Sequence, residues 1–238
     1  MELFYSETLI QENEMLIFDS DESRHIVRVL RKKIGDFIRV TNGQGLEWEG
    51  EIIATELRKV VAKKNNIILH QNKITPLHIA IAPTKSNDRM EWFLEKATEI
   101  GVTQITPILC QHSERKTLKI DRMKKILVGG LKQSAQFFLP QLNPIISFDD
   151  FIKSDPQGKR LIAHCQNEEK TTLHKIGNLE CEIIIMIGPE GDFSNREVNT
   201  ALEHSFKGIS LGSQRLRTET AGIVACCMVA TLREVLKK

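Results

Sequence analysis

Ile183-Ile184-Ile185-Met186-Ile187 runs into Gly188-Pro189-Glu190-Gly191-Asp192, and Ile209-Ser210-Leu211-Gly212 runs into Ser213-Gln214-Arg215-Leu216-Arg217-Thr218-Glu219-Thr220-Ala221. Each is a short apolar run, as a buried strand requires, followed by a loop whose glycines let a ligand approach the main chain closely. The glycine spacing is neither GxGxxG nor GxxxxGK[ST], so neither a dinucleotide fold nor an NTPase is indicated. Taken alone, Gly188-Pro189-Glu190-Gly191 is a weak signal and reads as an ordinary turn. The pair of loops is the candidate active site.

Working outward, strands and helices alternate from Leu77 to the end of the chain. Leu77 to Ala82 reads as a buried strand, and Met90, Phe93, Leu94, Ala97 and Ile100 mark one face of a helix stopping at Gly101. Further strands are expected near 105–109, 160–163, 182–187 and 209–211, with helices near 121–136, 195–204 and 219–236. Ser194 with Glu197 three residues later is a capping box. Such alternation predicts an α/β domain over 73–238 with a largely parallel sheet and its ligand at the carboxyl ends of the strands. Residues 1–72 instead show short alternating segments. Asn42-Gly43-Gln44-Gly45 between Phe37–Val40 and Leu46–Gly50 reads as a hairpin, so a small β domain precedes the α/β domain.

One helix interrupts the β domain, capped by Asp19 or Ser20 and running to about Arg31. It sets Arg24, Arg28 and Arg31 on one face, followed by Lys32 and Lys33, with Val27, Leu30 and Ile34 left for the core. The stripe reads either as a solvated helix face or as a contact surface for nucleic-acid phosphates. His25 reads as structural or phosphate-contacting. A second basic cluster comprises Arg115, Lys116, Lys119, Arg122, Lys124 and Lys125. The formal net charge over 238 residues is only +2, so a nucleic-acid surface has to be a local patch.

The five cysteines lack CxxC spacing or a paired His, which predicts reduced thiols and no metal site. The amino terminus lacks a charged region followed by an apolar one. The longest weakly polar run, Ala221 to Leu232, is too short to span a bilayer. The expectation is a cytoplasmic protein with no membrane segment. The final helix, apolar on most faces, belongs either to the core or to a subunit interface.

The sequence resembles the RsmE family of 16S rRNA uridine-N3 methyltransferases, of the SPOUT class. The resemblance is carried by the His25 to Arg31 segment with Gly35-Asp36, Lys96 to Val102, Ser113-Glu114-Arg115, Gln133-Ser134, the Gly188 loop and Arg217-Thr218-Glu219-Thr220-Ala221. It implies a PUA-like β-barrel domain (1–72) that binds RNA, then a SPOUT α/β domain (73–238) with a C-terminal trefoil knot. It also implies a homodimer, and 16S rRNA or the small ribosomal subunit as partner. S-adenosylmethionine is then expected among three loops, with Ala163, His164, Ile187, Gly188, Pro189, Glu190, Gly191, Leu211, Gly212, Leu216, Thr218 and Thr220 as binding residues. Three departures stand out: Asp192 where the family has a second glycine, Gln214-Arg215 before Leu216, and Ala135-Gln136-Phe137-Phe138 where an arginine is usual. A methyltransferase acting on tRNA or another rRNA position, and a non-catalytic RNA-binding module, are the alternatives.

The implied chemistry is attack of a uridine ring nitrogen on a sulfonium methyl group, so a proton must leave and charge spreads onto the base carbonyls. Arg217, with its planar fork, is the expected charge stabiliser; its alternative is a structural ion pair with Glu190 or Glu219. Glu219 is the second expected catalytic residue: it or Glu190 would orient Arg217 or accept the proton, but an ordinary carboxylate is a weak base for this job and the base stays unassigned. His164 either titrates or holds its loop, and Thr218 and Thr220 hydrogen-bond main chain or cap the final helix. Arg24, Arg28, Arg31, Lys32 and Arg115 are the expected RNA contacts.

Overall fold

The computed structural model describes residues 2–56, 58–166, 169–176 and 181–236, and the chain divides into two compact units. The first comprises residues 1–72 together with 131–139; the second comprises 73–130 and 140–238. Their boundary passes through a helix, whose last turn is counted with the first unit.

In the first unit β1 (Leu3–Tyr5), β2 (Met15–Ile17), β3 (Phe37–Thr41), β4 (Leu46–Glu56) and β5 (Lys59–Leu69) form a sheet in the order β1-β3-β4-β5-β2. The expected hairpin is present, with Ile38 opposite Gly50 and Val40 opposite Trp48. Alternation along β3 and β4 sends Ile38, Val40, Leu46, Trp48 and Ile52 to a core shared with Phe4, Leu9 and Ile26. On the opposite face, Glu47 is buried between Arg39 and His70. Burial alone would raise its pKa, but hydrogen bonds from Arg39 and His70 outweigh that and hold the carboxyl below its usual range. Phe137 stacks on His70 at 3.9 Å between centroids, and the Arg39 guanidinium lies 5.4 Å from the same ring. The Ala135–Phe138 departure is thus absorbed by packing on the β sheet.

The helix expected over 20–31 is corrected. α1 (Ser20–Arg24), capped by Asp19, passes into a π-helical turn over His25–Val29, and Arg31 has a left-handed φ of 54°. Wider turns and a left-handed exit rotate Arg28 and Arg31 off the face that regular i, i+4, i+7 spacing assigns them. Val27 and Leu30 pack on the core as expected, whereas Ile34 is exposed.

The second unit holds β6 (Leu77–Ile81), α2 (Asn87–Ile100), β7 (Gln104–Leu109), α3 (Ile120–Ser134), β8 (Gln141–Leu142), β9 (Ile146–Ser147), α4 (Phe148–Lys153) and β10 (Lys159–Ala163). It continues through β11 (Thr171–Thr172), a 3-10 turn at Leu173–Lys175, β12 (Ile183–Ile187), α5 (Asn195–Glu203), β13 (Lys207–Ser210) and α6 (Thr218–Leu236). The sheet order is β11-β13-β10-β12-β6-β7-β8, with β9 beside β7, and every pairing is parallel. All five side chains of β12 are buried because helices cover both faces of a central parallel strand; each contributes roughly 1.5–3 kcal/mol. Gly101 takes φ 95° to end α2 and Ala135 takes φ 53° to end α3. Gly222 on α6 allows close approach to α2, since a Cβ there would meet the Phe93 ring at 2.6 Å. Among the described residues no helix is long and apolar enough to cross a membrane.

Beneath the sheet, His78 on β6 is buried with Nε2 2.7 Å from the Thr106 hydroxyl, which accepts a hydrogen bond from Asn143 at 2.7 Å. Burial pushes the His78 imidazole down to about 4.

Candidate active site

Because β13, β10 and β12 are neighbours and run the same way, the loops leaving their carboxyl ends meet. They enclose a cavity of about 440 Å³, within the range of small-molecule sites. Its walls are Ala163 to Gln166 and Lys170 after β10, Ile187 to Glu190 and Asp192 after β12, and Ile209 to Leu216 with β13. Thr218 and Ala221 of α6 close it.

The loop after β12 is held from several sides. The Asp192 amide donates to the Pro189 carbonyl at 2.9 Å, and Glu190 Oε1 accepts the Lys85 N–H at 3.0 Å. His112 Nδ1 lies 3.1 and 3.0 Å from the Gly191 and Asp192 carbonyl oxygens and donates to both. Buried Glu197 completes the capping box by accepting from the Ser194 amide and hydroxyl, and its other oxygen accepts the Gln111 N–H at 2.8 Å. One carboxylate thereby joins the end of β7 to the start of α5. Thr218 Oγ1 donates to the Gly188 carbonyl at 2.9 Å, tying α6 to the same loop.

The loop after β13 has little of this. The Ser210 hydroxyl contacts Gly212, which takes a φ of 142°, and Gly212 to Arg215 are exposed. Arg217 is exposed too, and among the described residues its guanidinium has no ion pair or hydrogen bond. Only its carbonyl is engaged, accepting from Ala221 at the start of α6. Neither expected ion pair forms. Glu190 takes the Lys85 amide, and buried Glu219 has Oε1 3.8 Å from Nε of Arg89 on α2.

Of the expected cofactor residues, Ala163, His164, Ile187, Gly188, Pro189, Glu190, Leu211, Gly212, Leu216 and Thr218 line the cavity. Gly191 does not, because it faces His112: a Cβ there would meet the His112 Cβ at 3.0 Å. Thr220 and Glu219 do not either. Thr218 and Ala221, three apart, share the helix face toward the cavity, so the residues between them point elsewhere. Arg217, an expected catalytic residue, does not line the cavity either, although its sequence neighbours Leu216 and Thr218 do. His164 is buried, and the missing Cβ of Gly208 makes room for it: an added Cβ would come 2.9 Å from Nε2. Gln166 and Lys170, outside every expected loop, line the cavity as well. Lys170 reaches the His164 and Gln166 carbonyls at 3.3 and 2.6 Å, a contact visible only once β10 and its loop are built.

The expected RNA contacts fare differently. Arg115 donates to the Thr84 and Lys85 carbonyls at 2.6–3.1 Å, which holds the loop after β6. Arg24 lies 3.6 Å from Asp21, and His25 pairs with Glu2 at 3.1 Å. Lys32 Nζ donates to the Phe37 carbonyl at 2.8 Å. Arg28 and Arg31 are exposed.

A model of the RNA methyltransferase domain family matches residues 70–230, and one of an RNA methyltransferase PUA domain matches 18–64. Ribosomal RNA small subunit methyltransferase E of Buchnera aphidicola is 31% identical, over 90% of this chain and 87% of its own. The chain belongs to the ribosomal RNA small subunit methyltransferase E family. The crystal structure of a probable rRNA methyltransferase from Porphyromonas gingivalis is similar at a TM-score of 0.92 and 37% identity, covering 99% of this chain and 100% of that one. A family member from Neisseria gonorrhoeae, solved bound to S-adenosylmethionine, is similar at 0.86 and 26% identity, covering 98% of each chain. As in the family, the amino-terminal domain here is PUA-like and the α/β domain SPOUT-like.

Proposed function

We propose that this protein transfers the methyl group of S-adenosylmethionine to N3 of a uridine in 16S rRNA of the small ribosomal subunit. The observation that carries the reading is the cavity at the carboxyl ends of β13, β10 and β12, in a chain similar over 98% of its length to a relative solved with S-adenosylmethionine bound. The lining suits that ligand. Ala163, Ile187, Leu211 and Leu216 offer apolar surface for a purine, the loops offer main-chain polar groups, and Glu190 and Asp192 offer negative charge to a cation. When bound, S-adenosylmethionine supplies an electrophilic methyl group on a positively charged sulfur.

Arg217, exposed and next in sequence to the cavity-lining Leu216 and Thr218, has the free guanidinium to stabilise negative charge on the carbonyl oxygens of a uridine losing its N3 proton. Glu190 and Asp192 act as hydrogen-bond acceptors that hold the loops, and Glu219 positions Arg89. Residues 1–72 serve as the RNA-binding domain, with Arg24, Arg28, Arg31 and Lys32 toward phosphates, and close as a barrel; 73–238 form the catalytic domain. The chain after β13 is threaded into a trefoil knot in this reading, which the packing of α6 against α2, β6 and β12 supports. The exposed or half-exposed stripe Val224, Cys227, Met228 and Val235 on α6 offers a homodimer surface.

The test is transfer of labelled methyl from S-adenosylmethionine to small subunits isolated from a strain lacking the enzyme, followed by nucleoside mass spectrometry. 3-Methyluridine in 16S rRNA is the expected product. Label in tRNA, or none, overturns the reading.

A further inference from the structure

One wall of the cavity is shaped by a residue in the left-handed region that is not glycine. Asp192 has a φ of 63°, which Asp and Asn tolerate better than other side chains. Its Oδ2 accepts the N–H of Cys165 at 2.9 Å, two residues beyond the end of β10. The neighbouring Gln166 donates from Nε2 to the Phe193 carbonyl at 3.0 Å. Cys165, Gln166 and Asp192 all line the cavity. Asp192 itself is anchored, its amide on the Pro189 carbonyl and its carbonyl on His112. Glycine would allow the same backbone but bring no carboxylate.

We propose that Asp192 is a positioning residue that straps the loop after β10 to the loop after β12 and so presets two of the three cavity walls for the cofactor. The proposal rests on the cavity being the S-adenosylmethionine site. A loop already held in its bound form need not be ordered by the ligand, so the strap adds affinity without touching the reacting atoms. Removing it loads the loss onto KM for S-adenosylmethionine rather than onto kcat.

Three full-length variants separate the parts: Asp192→Gly keeps the backbone and removes the acceptor, Asp192→Asn keeps both, and Asp192→Ala loses both. The readouts are cofactor dissociation constants by calorimetry, steady-state kinetics on small subunits, and amide hydrogen exchange at Cys165 in ligand-free protein. Asp192→Gly is expected to weaken cofactor binding roughly tenfold, the loss of one charge-assisted hydrogen bond, and to speed exchange at Cys165. Asp192→Asn should stay within about threefold of wild type, since a neutral acceptor keeps most of such a bond. Wild-type affinity and protection in Asp192→Gly overturn the strap, as does an Asn variant no better than the Gly one, which points to charge instead. A wild type that binds no S-adenosylmethionine overturns the cofactor reading, and exchange at Cys165 then still decides whether the strap exists.

Discussion

The loops that leave β12 and β13 border the same cavity but are built on opposite plans. From Gly188 to Ser194, hydrogen bonds come from Lys85, His112, Cys165, Gln166 and Thr218, spread over four other segments of the second unit. From Leu211 to Arg217 the side-chain bonds are local, and Arg215 and Arg217 are exposed. A wall that must match a small ligand gains from being rigid, because ordering it on binding costs affinity. A wall that must meet a large substrate gains from long side chains left free to reach it. The first loop is a cradle and the second a hand.

The largest expected effect comes from the free side. Arg217→Ala should lower kcat by about 10²–10³-fold while leaving thermal stability and cofactor affinity nearly unchanged, as expected for a charge-stabilising donor with no structural partner. Methyl transfer on small subunits and a melting curve check both halves. An Arg217 variant that melts early would break the comparison.

Next comes the scaffold beneath both loops, whose stability depends on pH. His78 is held down to about 4 by burial, against 6.5 when exposed. Below pH 6.5 the unfolded chain takes a proton that the fold refuses, so stability falls as pH drops and levels off near 4. The total is about 3 kcal/mol, and His78→Gln should flatten denaturation midpoints measured over that window. Unchanged acid sensitivity in the variant would place the acid response elsewhere, Glu47 being the next group to examine. Its depressed pKa contributes stability that is lost as pH falls through it.

Glu197→Gln tests the rigid side. An amide NH₂ facing the Ser194 N–H sets donor against donor in a buried position, at a cost of about 2 kcal/mol. It should loosen the Gly188 loop and weaken cofactor binding as well as stability. Normal affinity in a destabilised protein would show the cradle does not depend on this clamp.

The smallest effect is expected at Arg215, exposed and lining the cavity. Arg215→Ala should change stability by less than about 0.5 kcal/mol, as surface substitutions do, and shift activity modestly. A loss as large as that at Arg217 would make the two arginines a pair and sharpen the picture of a reaching loop.

Much of this was legible in the residues. The capping box at Ser194, the stop of α2 at Gly101, the Asn42–Gly45 hairpin and the buried run of β12 each depend on groups only a few positions apart, where periodicity and turn chemistry act directly. The two-residue strands β8, β9 and β11 carry too little pattern to be seen, and α4 spans only six residues. The π turn after α1 was invisible because regular spacing assumes one helical pitch. The expectations of a knot and of a homodimer came through resemblance alone.

By itself, the sequence determined the two kinds of architecture and the strand ends at which the loops open, because those features follow from local pattern; that Glu190 and Glu219 turn elsewhere and leave Arg217 free was decided by the tertiary structure. Tertiary structure decided which loops meet. Placing β10 between β13 and β12 is a choice of strand order, and only that choice brings Cys165 to Asp192, Gly208 to His164 and Thr218 to Gly188. Those contacts span 27 to 44 residues of chain, and the hydrogen bonds and close packing that make them form only after the sheet has assembled.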